Sequence, residues 1–306
     1  MAVHTELSDL ELKPLLDRYD LGKLITKTGI TAGITNTIYR IKTNYGQYIL
    51  VLFEELTREQ LPFYIRLTDF LASANLPCAR TIADREQNTI QVVRGKPAII
   101  CEYLIGDTLQ QATPRHCAQV GKALATLHLR TMNYPERQEN FRGEAWRDQT
   151  AMTLKGKLTE SDWRLLQDEL AFLRTQSMHN LPQGIIHADL FMDNVLFVKN
   201  QLTGLLDFYY ACYGPLLYDL AITINAWCWQ NQIGMDLENY NALVTAYRQH
   251  RTFTAAEIKQ WPNVCRHAAM RFWLSRLYDF HVNVTNKDPK TYRAILAFHQ
   301  SHALLL

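Results

Sequence analysis

The sequence has no long hydrophobic run. Its most apolar window, residues 216–229, still carries Asp219 and Asn225, so no membrane-spanning helix is expected. It has no C-x-x-C pair either. The six cysteines, Cys78, Cys101, Cys117, Cys212, Cys228 and Cys265, are scattered, which argues against a zinc site or dithiol redox chemistry and for thiols kept reduced in a cytoplasm. Blocks of one charge sign are missing too. The 32 basic and 30 acidic residues balance to +2 and are spread over the whole length, so no nucleic-acid or membrane partner is expected and any anionic ligand must be met by a local site. Residues 1–20 lack the basic region and apolar core of a secretory leader; Leu7, Leu10, Leu15 and Leu16 recur there at helical spacing instead.

What is present is an ordinary globular composition, 47% hydrophobic and 20% charged over 306 residues, enough for two lobes. Runs at 38–41, 47–53, 90–93 and 98–103, separated by turn signals such as Tyr45-Gly46, read as antiparallel strands. One helix interrupts them, with Phe63, Ile65, Leu67, Phe70 and Leu71 in a window closed by Asn75 and Pro77. After Gly106 the character changes. Thr113-Pro114 opens a capped helix, further helices are expected at 161–175, 215–230, 237–250 and 257–284, and residues 185–208 form a strand-rich insert. The expectation is an α+β chain of two lobes with a ligand cleft between them: a small antiparallel-sheet lobe over 1–102 and a larger, mostly helical lobe over 103–306.

The strongest chemical signal is His187-Ala-Asp189-Leu-Phe-Met-Asp-Asn194, which fits the pattern H-x-D-L-x-x-x-N of a phosphoryl-transfer catalytic loop. The next segment reads as a hairpin turning at Lys199-Asn200 that delivers Asp207-Phe208, the setting of a metal-binding turn. Phosphoryl transfer needs a carboxylate to orient the attacking hydroxyl and accept its proton, and oxygen ligands to hold Mg²⁺ on nucleotide phosphates. Asp189 is the candidate base, and Asn194 and Asp207 are the candidate metal ligands. Each alone reads more simply as a turn cap or a strand end; all three in this order do not. His187 reads as a loop scaffold whose ring meets backbone or a carboxylate, with Asp219 as its partner or, nearly as well, as a helix N-cap. The turn holding Gly33, Thr35, Asn36 and Thr37 is a candidate phosphate cradle, and the backbone from Glu102 to Leu104 a candidate adenine contact.

Together with Gly33-Ile-Thr-Asn-Thr37, Tyr218-Asp-Leu-Ala-Ile222 and Arg271-Phe-Trp-Leu-Ser-Arg-Leu-Tyr-Asp279, these motifs resemble the aminoglycoside phosphotransferase-like branch of the protein-kinase-like fold, and within it the bacterial homoserine kinases. The resemblance covers nearly the full length. It implies ATP and Mg²⁺ as cofactors and L-homoserine as acceptor, with O-phospho-L-homoserine as product, a step toward threonine. Two departures stand out. The strand over 47–53 carries no lysine to pair with the phosphates, and only eleven residues separate Asp207 from Asp219, too few for a regulatory activation segment, which favours a small-molecule acceptor. An amino-acid acceptor asks for an arginine fork. Arg271 and Arg276 are the candidates, although five residues set them about 140° apart around a helix; Tyr209 and Trp227 are candidate pocket walls. Other small alcohols, such as choline, methylthioribose or an aminoglycoside, remain open as acceptors, as does a nucleotide-binding scaffold without activity.

Overall fold

The computed structural model describes residues 5–30, 36–231, 233–285 and 287–306. It divides into two compact units. The first takes the chain up to Thr108 together with Val195–Lys199 and Thr203–Leu206; the second takes Leu109–Asn194, Asn200–Leu202 and Asp207–Leu306. The boundary expected after residue 102 thus falls at 108, and a later hairpin joins the first unit.

The first unit is built on a sheet of β1 (Leu24–Gly29), β2 (Thr37–Thr43), β3 (Gln47–Leu52), β4 (Thr81–Ile82), β5 (Gln91–Val93) and β6 (Lys96–Glu102). The order is β1-β2-β3-β6-β4 with β5 also on β6, and every pairing is antiparallel. The Tyr45-Gly46 turn closes the β2–β3 hairpin, with the Thr43 N–H donating to the Gly46 carbonyl at 2.8 Å. Alternation along β2 buries Thr37, Tyr39, Ile41 and Thr43 on one side. An N-terminal arm covers that face: Leu7, then α1 (Asp9–Leu16) with Leu12, Leu15 and Leu16, then Tyr19 and Leu21 pack on Tyr39, Ile41, Leu50, Leu52, Ala98 and Ile100. Each leucine so buried contributes about 1.5–3 kcal/mol. α1 begins cleanly because the Glu11 carboxylate accepts the Ser8 N–H at 2.8 Å. α2 (Leu61–Ser73) buries Phe63, Tyr64, Leu67 and Leu71 and ends where Asn75 takes a left-handed φ of 64°.

The second unit holds α3 (Pro114–Thr131), α4 (Glu144–Leu154), α5 (Glu160–Arg174), β7 (Gln183–Ile186), β10 (Cys212–Pro215), α6 (Leu216–Trp227), α7 (Leu237–His250), α8 (Ala255–His281) and α9 (Lys290–Ser301). Between β7 and β10 the chain forms β8 (Val195–Val198) and β9 (Gln201–Leu205). α6 is mostly apolar and nearly all of it is buried, Asp219 and Asn225 included. α3 and α7 approach so closely that a Cβ on Gly121 would lie 2.2 Å from the Leu243 carbonyl oxygen. β7 pairs antiparallel with β10, Ile186 opposite Cys212 and Gln183 opposite Pro215. The segment leaving Ile186 and the one entering Cys212 therefore emerge at the same end of this ribbon. Among the described residues no helix is long and apolar enough to cross a membrane, and all six cysteines are buried and free.

Candidate active site

The segment leaving β7 is held by one carboxylate. Asp219, fully buried on α6, accepts the backbone N–H of His187 at 2.7 Å and of Ala188 at 2.8 Å. Both amides reach it because Ala188 adopts a left-handed φ of 62°. That conformation costs about 1–2 kcal/mol for a residue with a Cβ, less than two hydrogen bonds to a charged acceptor return at roughly 1.5–3 kcal/mol each. His128 Nε2 lies 3.0 Å from the same carboxylate and His128 Nδ1 2.7 Å from the Tyr247 hydroxyl. The network assigns the proton to Nε2, which donates to Asp219, and leaves Nδ1 to accept from Tyr247. Burial alone would raise the Asp219 carboxyl, but the hydrogen bond from His128, with that from the His187 amide, outweighs it and holds the group below the usual carboxylate range. Asp219 is therefore a partner of His187, through the backbone amide; the His187 ring packs on Phe208 at 4.6 Å between centroids. The alternative of a helix cap fails, since Pro215 occupies that position.

Asp189 follows directly. Its carbonyl accepts the Asn194 side-chain amide at 2.8 Å and the Phe191 N–H at 2.9 Å, and Asn194 Nδ2 also lies 3.4 Å from Asp189 Oδ2. The turn brings the carboxylate and the amide side by side. Asn194 Oδ1 accepts no hydrogen bond among the described residues, leaving a hard oxygen for a cation. Asp207, exposed and at a left-handed φ of 57°, opens a 3₁₀ turn over Phe208–Tyr210. The surrounding protein, and after it the charge of Asp189, push its carboxyl up to about 7. Burial likewise raises Asp189, opposed by the charges of Arg271 and His187. A cation bound here would relieve this crowding of carboxylates. No cluster of three or more His, Cys, Asp or Glu side chains suited to a metal occurs among the described residues, so such an ion would need further ligands from outside the protein.

Beside the loop, Asn140, Arg142, Ala188, Tyr210, Tyr218 and Arg271 line a small pocket of about 10 Å³, on the order of one water molecule. Arg271 is 6% exposed and its guanidinium lies 3.8 Å from the Phe272 ring centroid and 5.6 Å from that of Tyr210. It has no hydrogen-bond acceptor among the described residues. Arg276 lies 4.0 Å from Asp279, a carboxylate that Lys287 also meets at 2.9 Å, and its charge also acts on Asp189.

Residues 27–253 match the phosphotransferase enzyme family, APH. The chain belongs to this family. The phosphotransferase is 42% identical to a homoserine kinase of Janthinobacterium sp. (strain Marseille), over 97% of this chain and 95% of that one. It is 37% identical to a homoserine kinase of Neisseria meningitidis serogroup B, over 97% and 99% of the two chains. In fold it resembles the amicoumacin kinase hAmiN, with a TM-score of 0.74 at 16% identity over 96% of this chain and 92% of that one. Choline kinase from Cryptosporidium parvum gives a TM-score of 0.68 at 13% identity over 95% and 94%. These folds are protein-kinase-like, as the motifs implied.

Several expected site residues of the phosphotransferase prove to be supports. Trp227 is buried and its indole N–H donates to the Leu190 carbonyl at 2.9 Å, so it braces the loop after Asp189 and is not among the residues lining the pocket. Tyr209 is likewise absent from the pocket lining, where Tyr210 and Tyr218 stand. Thr37 is spent inside the first unit: its hydroxyl donates to Glu54 Oε1 at 2.7 Å and accepts the Thr5 N–H at 3.0 Å, while Lys96 pairs with Glu54. Asn36 Oδ1 accepts the Glu54 N–H at 3.4 Å. Gly33 and Thr35 lie outside the described residues. The Glu102 N–H donates to the Arg80 carbonyl at 3.0 Å, so that amide is already paired, and Leu104 is half-buried.

Proposed function

We propose that this phosphotransferase is a homoserine kinase, transferring the γ-phosphoryl group of ATP to the side-chain hydroxyl of L-homoserine to give O-phospho-L-homoserine and ADP, a step toward threonine. The observation that carries the reading is the 42% identity to a homoserine kinase over essentially the full length of both chains. The hydroxyl oxygen bonds to the γ-phosphorus as the bond from that phosphorus to the bridging oxygen breaks. Asp189 orients the hydroxyl and accepts its proton. Asn194 and Asp207 are the residues to hold Mg²⁺, which when bound screens charge on the phosphates and the leaving group. Asp219 and Trp227 fix the loop so that Asp189 needs no rearrangement to act.

The pocket also bears on the competing acceptors. Arg271, with no hydrogen-bond acceptor among the described residues, stands beside the loop and disfavours a quaternary ammonium or an aminoglycoside, both cationic, and an intact Asp189, Asn194 and Asp207 argues against an inactive scaffold. ADP release measured with Mg–ATP and a panel of L-homoserine, choline, methylthioribose and an aminoglycoside tests the proposal. Turnover with homoserine at the highest kcat/KM is expected; phosphorylation of another acceptor with none of homoserine overturns it.

A further inference from the structure

We propose that Arg142 and Arg271 form a two-arginine site for the carboxylate of the acceptor, with Arg142 reading the substrate from the loop before α4. The inference rests on the homoserine reading and adds a residue that no motif marked. Both guanidinium groups converge on one ring. Arg271 lies 5.6 Å and Arg142 5.9 Å from the Tyr210 centroid, and Arg142 is also 4.8 Å from that of Trp146. No Asp or Glu lines the pocket they share. Neither side chain has a carboxylate or carbonyl partner among the described residues, although Arg271 is more than nine-tenths buried. The charge of Asp189 reaches Arg271, but a buried fork whose donors have no hydrogen-bond acceptor among the described residues is still costly. A carboxylate between them answers this, because its two oxygens can accept from each planar fork at once.

The loop is built to hold Arg142 in place. Its N–H donates to Asn140 Oδ1 at 2.8 Å and the Gly143 N–H donates to the Asn140 carbonyl at 3.0 Å, a tight side-chain turn. Upstream, the Gln138 carbonyl accepts the Tyr213 N–H of β10 at 2.7 Å, and Arg137 stacks over the Tyr213 ring at 4.2 Å. Downstream, Arg147 of α4 donates to His267 Nδ1 on α8 at 3.2 Å. Ala188 lines the pocket and Asp189 is the next residue in the chain. Four bonds put the homoserine hydroxyl on the order of 5 Å from its carboxylate carbon, so a carboxylate seated on the two forks is required to leave the hydroxyl at Asp189.

The test compares wild type, Arg142→Gln, Arg142→Lys and Arg271→Gln in steady-state kinetics with L-homoserine and homoserine amide, and in calorimetric binding of L-2-aminobutyrate, which has the carboxylate but no hydroxyl. Arg142→Gln should raise KM for homoserine about 10- to 100-fold and leave KM for ATP within about twofold. It should weaken aminobutyrate binding by a similar factor and hardly change turnover of the amide. Lysine should restore part of the loss. Equal losses on homoserine and its amide would mean that Arg142 only shapes the loop, and would overturn the proposal, as would unchanged KM and aminobutyrate affinity. If wild type binds aminobutyrate through Arg142 yet does not phosphorylate homoserine, the carboxylate site stands and the homoserine reading fails. If wild type binds no aminobutyrate, the site itself is refuted.

Discussion

Asp219 accepts the Ala188 N–H at 2.8 Å, so a carboxylate on a buried helix fixes the backbone one residue before Asp189, the proposed base. Replacing it by asparagine keeps the shape, removes the charge and turns one acceptor into an amide that faces N–H donors. Asp219→Asn should lower stability by about 2–4 kcal/mol in urea unfolding and reduce kcat more than KM. Wild-type stability with wild-type kcat would refute the role.

Asp189→Asn should lower kcat by about 10²- to 10⁴-fold while nucleotide binding, read by titration with a fluorescent ATP analogue, changes little. A variant with full turnover removes Asp189 from the chemistry.

Asp207→Ala and Asn194→Ala should differ in kind as well as degree. The first removes a charged ligand and should all but abolish productive Mg–ATP binding; the second removes a neutral one and should raise the magnesium concentration for half-maximal rate by roughly 10-fold. Identical magnesium dependence in wild type and both variants contradicts the assignment.

His267 gives a prediction for stability against pH. Burial first, then the charges of Arg147 and Arg266, depress its imidazole from 6.5 to about 3. The unfolded chain therefore takes up a proton near pH 6.5 and the folded chain does not until about pH 3, so the stability this group contributes is present above 6.5 and is lost as pH falls through that window. The loss amounts to about 1.4 kcal/mol per pH unit at most. His267→Gln should flatten the dependence of unfolding free energy on pH between about 6 and 4, measured by urea titration. An unaltered slope would show that another group carries it.

The parts of the site that the sequence declares are those set by short-range order. Asp189 and Asn194 share one turn, and Asp207 follows from a hairpin, so spacing alone places them. α7 is equally plain, since Asp236 caps it and its buried residues keep helical spacing. The acceptor pocket is different in kind. It gathers Arg142 from an aperiodic loop, Ala188 and Tyr210 from turns, and Arg271 from α8, and no local pattern tells which of these distant segments converge. In the 3₁₀ turn over Phe208–Tyr210, successive side chains point about 120° apart, so Tyr209 and Tyr210 exchange roles on a rotation that composition does not encode. Trp227 shows the opposite error: an aromatic that suits a pocket wall has its polar edge claimed by Leu190. α9 is not among the expected helices, although Tyr292, Ile295, Leu296 and His299 carry helical spacing. α4 carries no such signal, for only Thr150, Ala151 and Leu154 of it are buried.

The first unit is not continuous in the chain: it recruits Val195–Lys199 and Thr203–Leu206 after an excursion of more than eighty residues through the second. On a ribosome this imposes a schedule. At roughly 5–20 residues per second, the sheet and its N-terminal arm wait several seconds for the hairpin that completes them, while the helices of the second unit are already emerging. The two units must mature interleaved in time. A stalled or truncated product ending anywhere between residues 109 and 194 would release a first unit lacking its last two strands, and would be a natural client for chaperones and proteases.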